Sequence, residues 1–395
     1  MSTTEETWRA HRASVEAVRD RLLARPECRD PKVRARALYA VEAHQVGAFH
    51  VFIAPRTDYP VLYAQTVWSP FETSWGGPAP DFVYKWLFLD GRRTYRIRGS
   101  RGTSLICDFQ LFDSYMSKET MRSLGSYDLD AFERAPDGSF EIIASAEEHP
   151  GNWMRLDPSE PYIIVQVRDI FWDWGREEGV RMHVETLDRA TDTMTHSEEE
   201  LNRRIERAAG QVRGMINAAV TFRDRILPGA GGVNRFHTII GAQRTDRGAS
   251  ARAGYSSMVY EIEPDEALIL DFEPPAAKYW SVALMDPFWQ TLDFSFHQSS
   301  LNGLQTERDA DGRVRMVLSV EDPGIANWLD ASESRFGYCM LRHYDGSLSA
   351  APMVTRVKIS DVRAHLPAGA RLLSAAERAA QLERRARDSL RRWGL

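Results

Sequence analysis

Residues 137–154, DGSFEIIASAEEHPGNWM, recur as residues 311–329, DGRVRMVLSVEDPGIANWL. Each copy opens on an Asp-Gly turn, runs through an apolar strand and ends in a Pro-Gly loop that delivers Asn-Trp. The offset is 174 residues at Asp137 and Asp311, and 175 at Asn152-Trp153 against Asn327-Trp328, so the second loop carries one extra residue. Downstream, Arg168-Asp-Ile-Phe aligns with Arg342-His-Tyr at an offset of 174, and upstream Val83-Tyr84 lines up near Val259-Tyr260. A turn, a strand, a loop and an Arg-ended strand repeated in one order mark a duplicated β unit.

The flanking sequence carries the same pattern outward. Phe82–Leu89 is aromatic and β-branched, stops at Asp90-Gly91 and returns at 94–99, which is hairpin chemistry. Further strands are expected at 104–112, 140–145 and 162–168, then at 257–262, 267–272, 279–284, 314–319 and 337–342. Between the two sets lies a helix that opens on Ser197 with Glu200, an S-x-x-E capping box, and carries an apolar stripe from Leu201 to Ile226. Pro228-Gly-Ala-Gly-Gly is expected to end it. At the N-terminus, Trp8, Val15, Val18 and Leu22 share one helical face, and Asp30-Pro31 starts a second helix running to about Ala54. A last helix runs from Ser374, capped with Glu377, to Trp393, and its many Arg and Glu residues point to a solvated or subunit-packing face.

The expected architecture is mainly β with flanking helices: two tandem antiparallel β-sandwich or jelly-roll-like domains joined by a long helix. The divisions fall at 1–62 (N-terminal helices), 63–190 (first β domain), 191–234 (linker helix), 235–360 (second β domain) and 361–395 (C-terminal helix). The chain has 395 residues, 43% apolar and 27% charged, an ordinary globular composition. A net charge of −6 argues against a general nucleic-acid binder. No apolar run approaches a membrane span, and no signal region opens the chain. Cys28, Cys107 and Cys339 are odd in number and widely spaced, as reduced thiols of a cytoplasmic protein would be.

The segments KYWSVALMD (278–286), DADGRVRMVLSVEDPGIANWL (309–329) and YCMLRHY (338–344) together resemble the bacterial domain-of-unknown-function 1214 family. APDFVY (79–84) and YRIRGSRGT (95–103) resemble the upstream half of its longer members. The resemblance implies jelly-roll-like β domains and carries no agreed reaction. Where many members have an Asn-rich NPDN, this chain has Ala79-Pro-Asp81-Phe82.

The sequence shows no HExxH, CxxC, P-loop, G-x-S-x-G or dinucleotide fingerprint, so no metal and no cofactor are expected. Eleven Trp and thirteen Tyr, Trp75 among them, exceed what two cores need, and aromatic walls suit a flat hydrophobic ligand. Arg168 and Arg342 end apolar strands, where a charge must be paired; a duplicated salt bridge to Asp81, Asp108 or Asp169 is one expectation, substrate binding the other. Positions that break the repeat are the stronger catalytic candidates: His343 stands where the first copy has Asp169, and His297 and His237 have no counterpart. Lys278, one of five lysines, precedes Tyr279-Trp280 and would have a lowered pKa if buried.

The functional expectation is a cofactor-independent enzyme, a lyase acting on a hydrophobic hydroxylated aromatic molecule, for example by formaldehyde elimination from a phenolic lignin-derived dimer. Its catalytic residues are expected to be His297, His343, Lys278 and Tyr84. Tyr255, Tyr279, Trp280, Trp86, Arg168 and Arg342 would bind substrate. The partners are then a small aromatic substrate, with no nucleic acid and no membrane, and a homodimer is left open. The alternative is a non-catalytic carbohydrate- or small-ligand-binding β-sandwich with exposed Trp.

Overall fold

The computed structural model describes residues 3–64, 76–118, 121–188, 196–240 and 250–394; Trp75 lies outside them. The first β domain contains β1 (Tyr63–Ala64), β2 (Phe82–Leu89), β3 (Tyr95–Ser100), β4 (Ile106–Phe112), β5 (Ser123–Asp128), β6 (Ser139–Ser145), β7 (Trp153–Arg155), β8 (Ile163–Ile170) and β9 (Arg181–Thr186). The second contains β10 (Phe236–Ile240), β11 (Ala253–Glu261), β12 (Glu266–Phe272), β13 (Ala276–Met285), β14 (Ser300–Asn302), β15 (Val314–Ser319), β16 (Trp328–Asp330), β17 (Phe336–Ser347) and β18 (Met353–Lys358). The strand orders coincide. A five-stranded sheet β1-β2-β8-β4-β5 answers β10-β11-β17-β13-β14, and a four-stranded sheet β7-β6-β3-β9 answers β16-β15-β12-β18. The chain therefore holds one β-sandwich topology twice.

The strand registers fix the equivalence residue by residue. Arg168 pairs with Tyr84 and Asp108, and Arg342 pairs with Tyr255 and Ser281. Val83-Tyr84 thus corresponds to Gly254-Tyr255, not to Val259-Tyr260; the Val-Tyr identity misled by five residues along one strand. Each sandwich also holds one parallel pair, β6 with β7 and β15 with β16, so neither is wholly antiparallel. The repeated Asn-Trp makes that pair. Asn152 donates to the carbonyls of Glu133 and Glu141 and accepts from the Glu133 amide. Asn327 does the same with Glu307 and Arg315. Trp153 and Trp328 donate Nε1 to the backbone carbonyl and the hydroxyl of Ser145 and Ser319, anchoring equivalent loops as the repeat requires.

Alternation then divides each large sheet between two environments. Leu87, Phe109, Leu111, Val165 and Val167 fill the first sandwich. Met258, Val282, Leu284, Cys339 and Leu341 fill the second, with Trp280 against Phe272. Burying each such aliphatic side chain contributes about 1.5–3 kcal/mol. The opposite faces of the two large sheets are turned toward the helices and toward each other.

The helices cover those faces. Helix α1 (Thr4–Leu23) has a full capping box at Thr3 and Glu6; of its expected apolar face Val18 and Leu22 are buried and Val15 packs beside them, while Trp8 is 49% exposed. Helix α2 (Pro31–Ala48) is capped by Asp30 and continues as a π turn, Phe49–Ile53. Helix α3 (Glu198–Ala230) starts with Ser197 accepting from the Glu200 amide. It runs through Pro228 and stops at Gly231, whose left-handed φ of 72° turns the chain. Pro228 has no N–H to bond the Asp224 carbonyl, and the helix ends three residues later. No helix among the described residues is long and apolar enough to cross a membrane.

Helix α4 (Ala375–Arg392) opens on the expected capping box at Ser374 and Glu377, but its arginines correct the expectation of a solvated face. Arg378, Arg385 and Arg392, seven residues apart, are buried. Arg378 reaches Asp322 and the Ile325 carbonyl and lies over Trp328. Arg385 donates to the carbonyls of Phe294 and His297 and to Ser300. Arg392 donates to the Pro80 carbonyl and stacks 3.8 Å over Trp174. The helix ties loops of both β domains, with the guanidinium groups as its pegs.

The domains meet with approximate twofold symmetry. Asp81 occupies the position equivalent to Arg252: each backbone carbonyl accepts from the first residue after β8, Phe171, or its counterpart Asp345. Asn302 is likewise the counterpart of Asp128, since they face Ser281 and Asp108 in register. Asp81 of the first domain accepts from Asn302 of the second at 2.7 Å, and Arg252 of the second pairs with Asp128 of the first at 2.9 Å. The same two positions make contact across the dyad twice, with different chemistry in each half.

Candidate interdomain site

Near that dyad the outer faces of the two large sheets converge on one buried cluster: Phe82, Tyr84, Ile106, Ile170, Ala253, Tyr279 and Tyr344, with Tyr255 and Trp172 packed against it. Phe82 bridges the halves, 5.4 Å from Tyr279 and 5.6 Å from Tyr344 between ring centroids. Both repeat-related arginines enter here. Arg168, buried, donates to Gln110 at 2.5 Å and lies 3.8 Å from Asp108. Arg342, half-buried, has no carboxylate within ion-pair distance among the described residues; it lies over Phe82 and Tyr255 and meets the Met340 sulfur at 3.6 Å. The duplicated salt bridge is therefore absent in the second copy. The reason is local: the partner position that is Asp108 in the first domain is Ser281 in the second.

Asp108 is the least compensated group of the cluster. It is fully buried, and among the described residues neither of its oxygens accepts a hydrogen bond. Burial pushes its carboxyl above the usual range, against the pull of Arg168 and Arg252. Burial likewise raises the phenols of Tyr84, Tyr279 and Tyr344, opposed in part by Arg342 or Arg168, so they stand as protonated donors at neutral pH. Tyr279 donates to Asp81 at 2.7 Å, and its oxygen lies 2.6 Å from the Ser281 hydroxyl. Asp81 also accepts from Trp174 and Asn302 and is the polar knot of the interface.

From this floor the two sheet faces rise on either side. On the first domain stand Gln110, Gln166 and Trp86, with Gln166 hydrogen-bonded to Tyr115 and Trp86 4.9 Å from the Tyr115 ring. On the second stand Ser257, Ala283, Met285 and Met340. Gly76 and Gly77 cross between them. A Cβ on Gly76 would meet Met215 at 3.0 Å and the Tyr115 hydroxyl at 3.7 Å; one on Gly77 would meet Trp289 at 2.8 Å and Met285 at 3.3 Å. Both glycines have left-handed φ, at 79° and 61°, so only glycine passes there without strain. Helix α3 spans the top, with Met215 in the cluster under the first sheet and Phe222 in the cluster under the second.

Six of the ten residues expected to form the site lie on these faces: Tyr84, Trp86, Arg168, Tyr255, Tyr279 and Arg342. The other four lie elsewhere. Trp280 points into the second sandwich core. His343, on the sandwich side of β17, packs over Gly254, where a Cβ would stand 2.1 Å from Nε2, and burial lowers its pKa. His297 pairs with Asp330 at 2.8 Å, which raises its pKa, and its side chain is 48% exposed. Lys278 is exposed, so the burial expected for it is absent. His237, half-buried, lies against Gly229. Sequence reading passed over Gln110, Gln166 and Tyr115, and took Asp108 only as a salt-bridge partner. The signal was present: Asp108-Phe-Gln110 and Gln166-Val-Arg168 place polar groups at alternate positions of otherwise apolar strands. Among the described residues no three His, Cys, Asp or Glu side chains converge as a metal site.

The fold and this site define a duplicated two-sandwich β protein with its polar centre between the copies. Residues 256–347 match the family described as "Protein of unknown function (DUF1214)", in line with the sequence resemblance. An uncharacterised protein of known crystal structure from Burkholderia cenocepacia is 25% identical and superposes with a TM-score of 0.82 over 90% of this chain and 97% of its own. A protein from Vibrio parahaemolyticus, 11% identical, aligns over 81% of this chain and 97% of its own with a TM-score of 0.47. No curated protein matches the chain.

Proposed function

We propose that the protein is a cofactor-independent enzyme that binds a small hydroxylated aromatic molecule between its two β domains and acts on it as a lyase. The observation that supports this most is Arg342: a cation held among aromatic rings with no carboxylate partner among the described residues, in an interdomain cluster where the buried carboxylate Asp108, beside Arg168, accepts no hydrogen bond. A phenolate satisfies the first, and a proton to be removed satisfies the second. Three protonated tyrosines nearby add donors for developing negative charge.

In the specific version, a phenolic 1,2-diaryl-1,3-propanediol binds with its phenolate oxygen at Arg342 and Arg168. The phenolate pushes out the benzylic hydroxyl, which leaves as water with a proton from Tyr84, and a quinone methide forms. Asp108 takes the proton of the terminal hydroxyl; the adjacent carbon–carbon bond breaks to release formaldehyde, and its electron pair restores the phenolate on a stilbene. The proton on Asp108 returns to Tyr84 through solvent, so one water and one formaldehyde are lost with no net redox change. Positioned acid and base groups contribute about 10²–10⁴-fold each.

Incubating the purified protein with such a diol and assaying formaldehyde together with stilbene absorbance tests the proposal. Equal amounts of both products are expected, with losses of at least about 100-fold in Asp108→Asn and Arg342→Met. No formaldehyde, or wild-type rates in both variants, would overturn it. The carbohydrate-binding alternative needs Trp on the face of a sandwich; among the described residues the exposed Trp is Trp8, on α1.

A further inference from the structure

Beside helix α4, three separate parts of the chain enclose a groove of about 200 Å³. The loop after β8 supplies Trp172 and Asp173, the β14 region supplies Leu301, Leu304 and Gln305, and one face of α4 supplies Gln381, Arg385 and Asp388. At Gln305 and Gln381 the groove runs into a second hollow of about 220 Å³, which Arg384 also lines. Gln381 and Asp388 stand seven residues apart along α4, about 10 Å, with Arg385 between them.

The hydrogen-bonding groups left open in the groove follow from those already engaged. Gln305 accepts from the Asn302 amide at 3.1 Å and Gln381 from Arg378 Nη1 at 2.5 Å, and both partners can only donate. Each side-chain oxygen is therefore used, and each NH2 remains as a donor. Arg385 gives Nε to the carbonyls of Phe294 and His297 and Nη2 to Ser300. Its Nη1 donates to nothing among the described residues and is not sealed from solvent. Among the described residues neither Arg384 nor Arg385 has a carboxylate within ion-pair distance, and burial pulls the pKa of Arg385 down.

The acceptors of the groove gather toward the first domain. Asp173 accepts from the Gly175 amide at 3.0 Å and lies 3.7 Å from Arg176, while Asp388 accepts from Arg387 at 3.3 Å. A Cβ on Gly175 would stand 3.1 Å from Asp388 Oδ2, so the two acids adjoin. Each keeps lone pairs beyond these contacts. Gln298, whose NH2 is taken by the carbonyls of Ala326 and Trp328, adds a third acceptor.

We propose that this groove binds a small hydroxylated carboxylic acid: its carboxylate on Arg385, Gln305 and Gln381, its carbon chain against Leu301 and Leu304, and a hydroxyl donating to Asp388 or Asp173. The site is separate from the interdomain cluster and does not depend on the chemistry assigned there. A carboxylate supplies the charge that Arg385 lacks, and such charge-assisted bonds are roughly twice as strong as neutral ones.

Three six-carbon probes, 6-hydroxyhexanoate, hexanoate and 1,6-hexanediol, titrated calorimetrically against the full-length protein, test the proposal. 6-Hydroxyhexanoate is expected to bind at least about tenfold more tightly than the diol and severalfold more tightly than hexanoate. Gln305→Glu and Gln381→Glu keep the oxygen that Asn302 and Arg378 need and replace the open donor with an anion, so each should weaken 6-hydroxyhexanoate at least about tenfold. Arg342→Met, in the interdomain cluster, should leave that affinity unchanged. Binding of the diol as tight as that of the acid, wild-type affinity in both glutamate variants, loss of affinity in Arg342→Met, or no binding of any probe overturns the proposal. Equal binding of hexanoate and 6-hydroxyhexanoate overturns the hydroxyl end.

Discussion

Replacing Asp81 with alanine tests how the two β domains are held in register around the site. Its carboxylate, 1% exposed, accepts from Trp174 Nε1 at 2.8 Å, from Asn302 Nδ2 at 2.7 Å and from the Tyr279 hydroxyl at 2.7 Å. Each buried donor stranded without an acceptor costs about 1–3 kcal/mol. Two of the three have somewhere else to go: Tyr279 reaches Ser281 at 2.6 Å and Asn302 reaches the Trp172 carbonyl at 3.0 Å. The full cost therefore falls on Trp174, with partial costs on the others and the loss of the anion nearest the buried Arg385 and Arg392, whose pKa values Asp81 props up. The sum is about 3–4 kcal/mol. Asp81→Asn keeps the shape and one carbonyl acceptor and should cost about half as much. Urea unfolding followed by tryptophan fluorescence and by far-ultraviolet circular dichroism measures it. Because Asp81 joins domains and fills neither sandwich, the two signals should separate into two transitions in Asp81→Ala. A loss below about 1 kcal/mol with coincident transitions would refute the assignment of Asp81 as the knot of the interface.

Three further outcomes follow from particular contacts. His44 is buried with neither ring nitrogen bonded, and burial lowers its pKa from 6.5 to about 4. The unfolded chain then binds a proton that the native protein refuses, so stability contributed above pH 6.5 is lost as the pH falls toward 4, by about 3 kcal/mol; His44→Leu should flatten that slope of urea midpoint against pH, and an unchanged slope would contradict it. Gly254→Ala would put a Cβ 2.1 Å from His343 Nε2 and should cost about 2–3 kcal/mol, most of it recovered in the Gly254→Ala, His343→Ala double variant; a strictly additive cycle would show that the two do not compete for space. Arg385→Ala removes a buried guanidinium that donates to the carbonyls of Phe294 and His297 and to Ser300 and should lower stability by about 2–4 kcal/mol in a thermal melt, whereas a surface arginine such as Arg387 should change it by less than about 0.5 kcal/mol.

The fold was largely legible because its signal is local and repeated. Asp-Gly turns, alternating strands and the Asn-Trp loop are each written within about twenty residues, and the duplication doubles their weight. Asn152 and Asn327 show why the motif was kept, since each satisfies three backbone groups where two strands run parallel. The site was half legible. Arg168 and Arg342 stood out as charges in apolar strands, yet the expectation went to residues that break the repeat, and His343, His297 and Lys278 lie outside the interdomain cluster. What broke the repeat usefully was the other face: Asp108 against Ser281. That pair emerges only when strand registers replace sequence identity, because each strand aligns at its own offset. The buried arginines of α4 were hidden for a different reason. A charged helix looks solvated from its composition, and nothing local reveals that Trp174 and a row of loop carbonyls wait beneath it.

Whether an ionised phenol rests on the twin arginines is measured most directly by titrating 4-nitrophenol with the protein at a pH below its own pKa. Guanidinium groups and protonated tyrosines around the oxygen should draw the ligand into its yellow phenolate form on binding, and Arg168→Met and Arg342→Met should each abolish that colour change. A ligand that binds and stays colourless, or one that turns yellow equally well in both variants, would mean that the oxygen sits elsewhere.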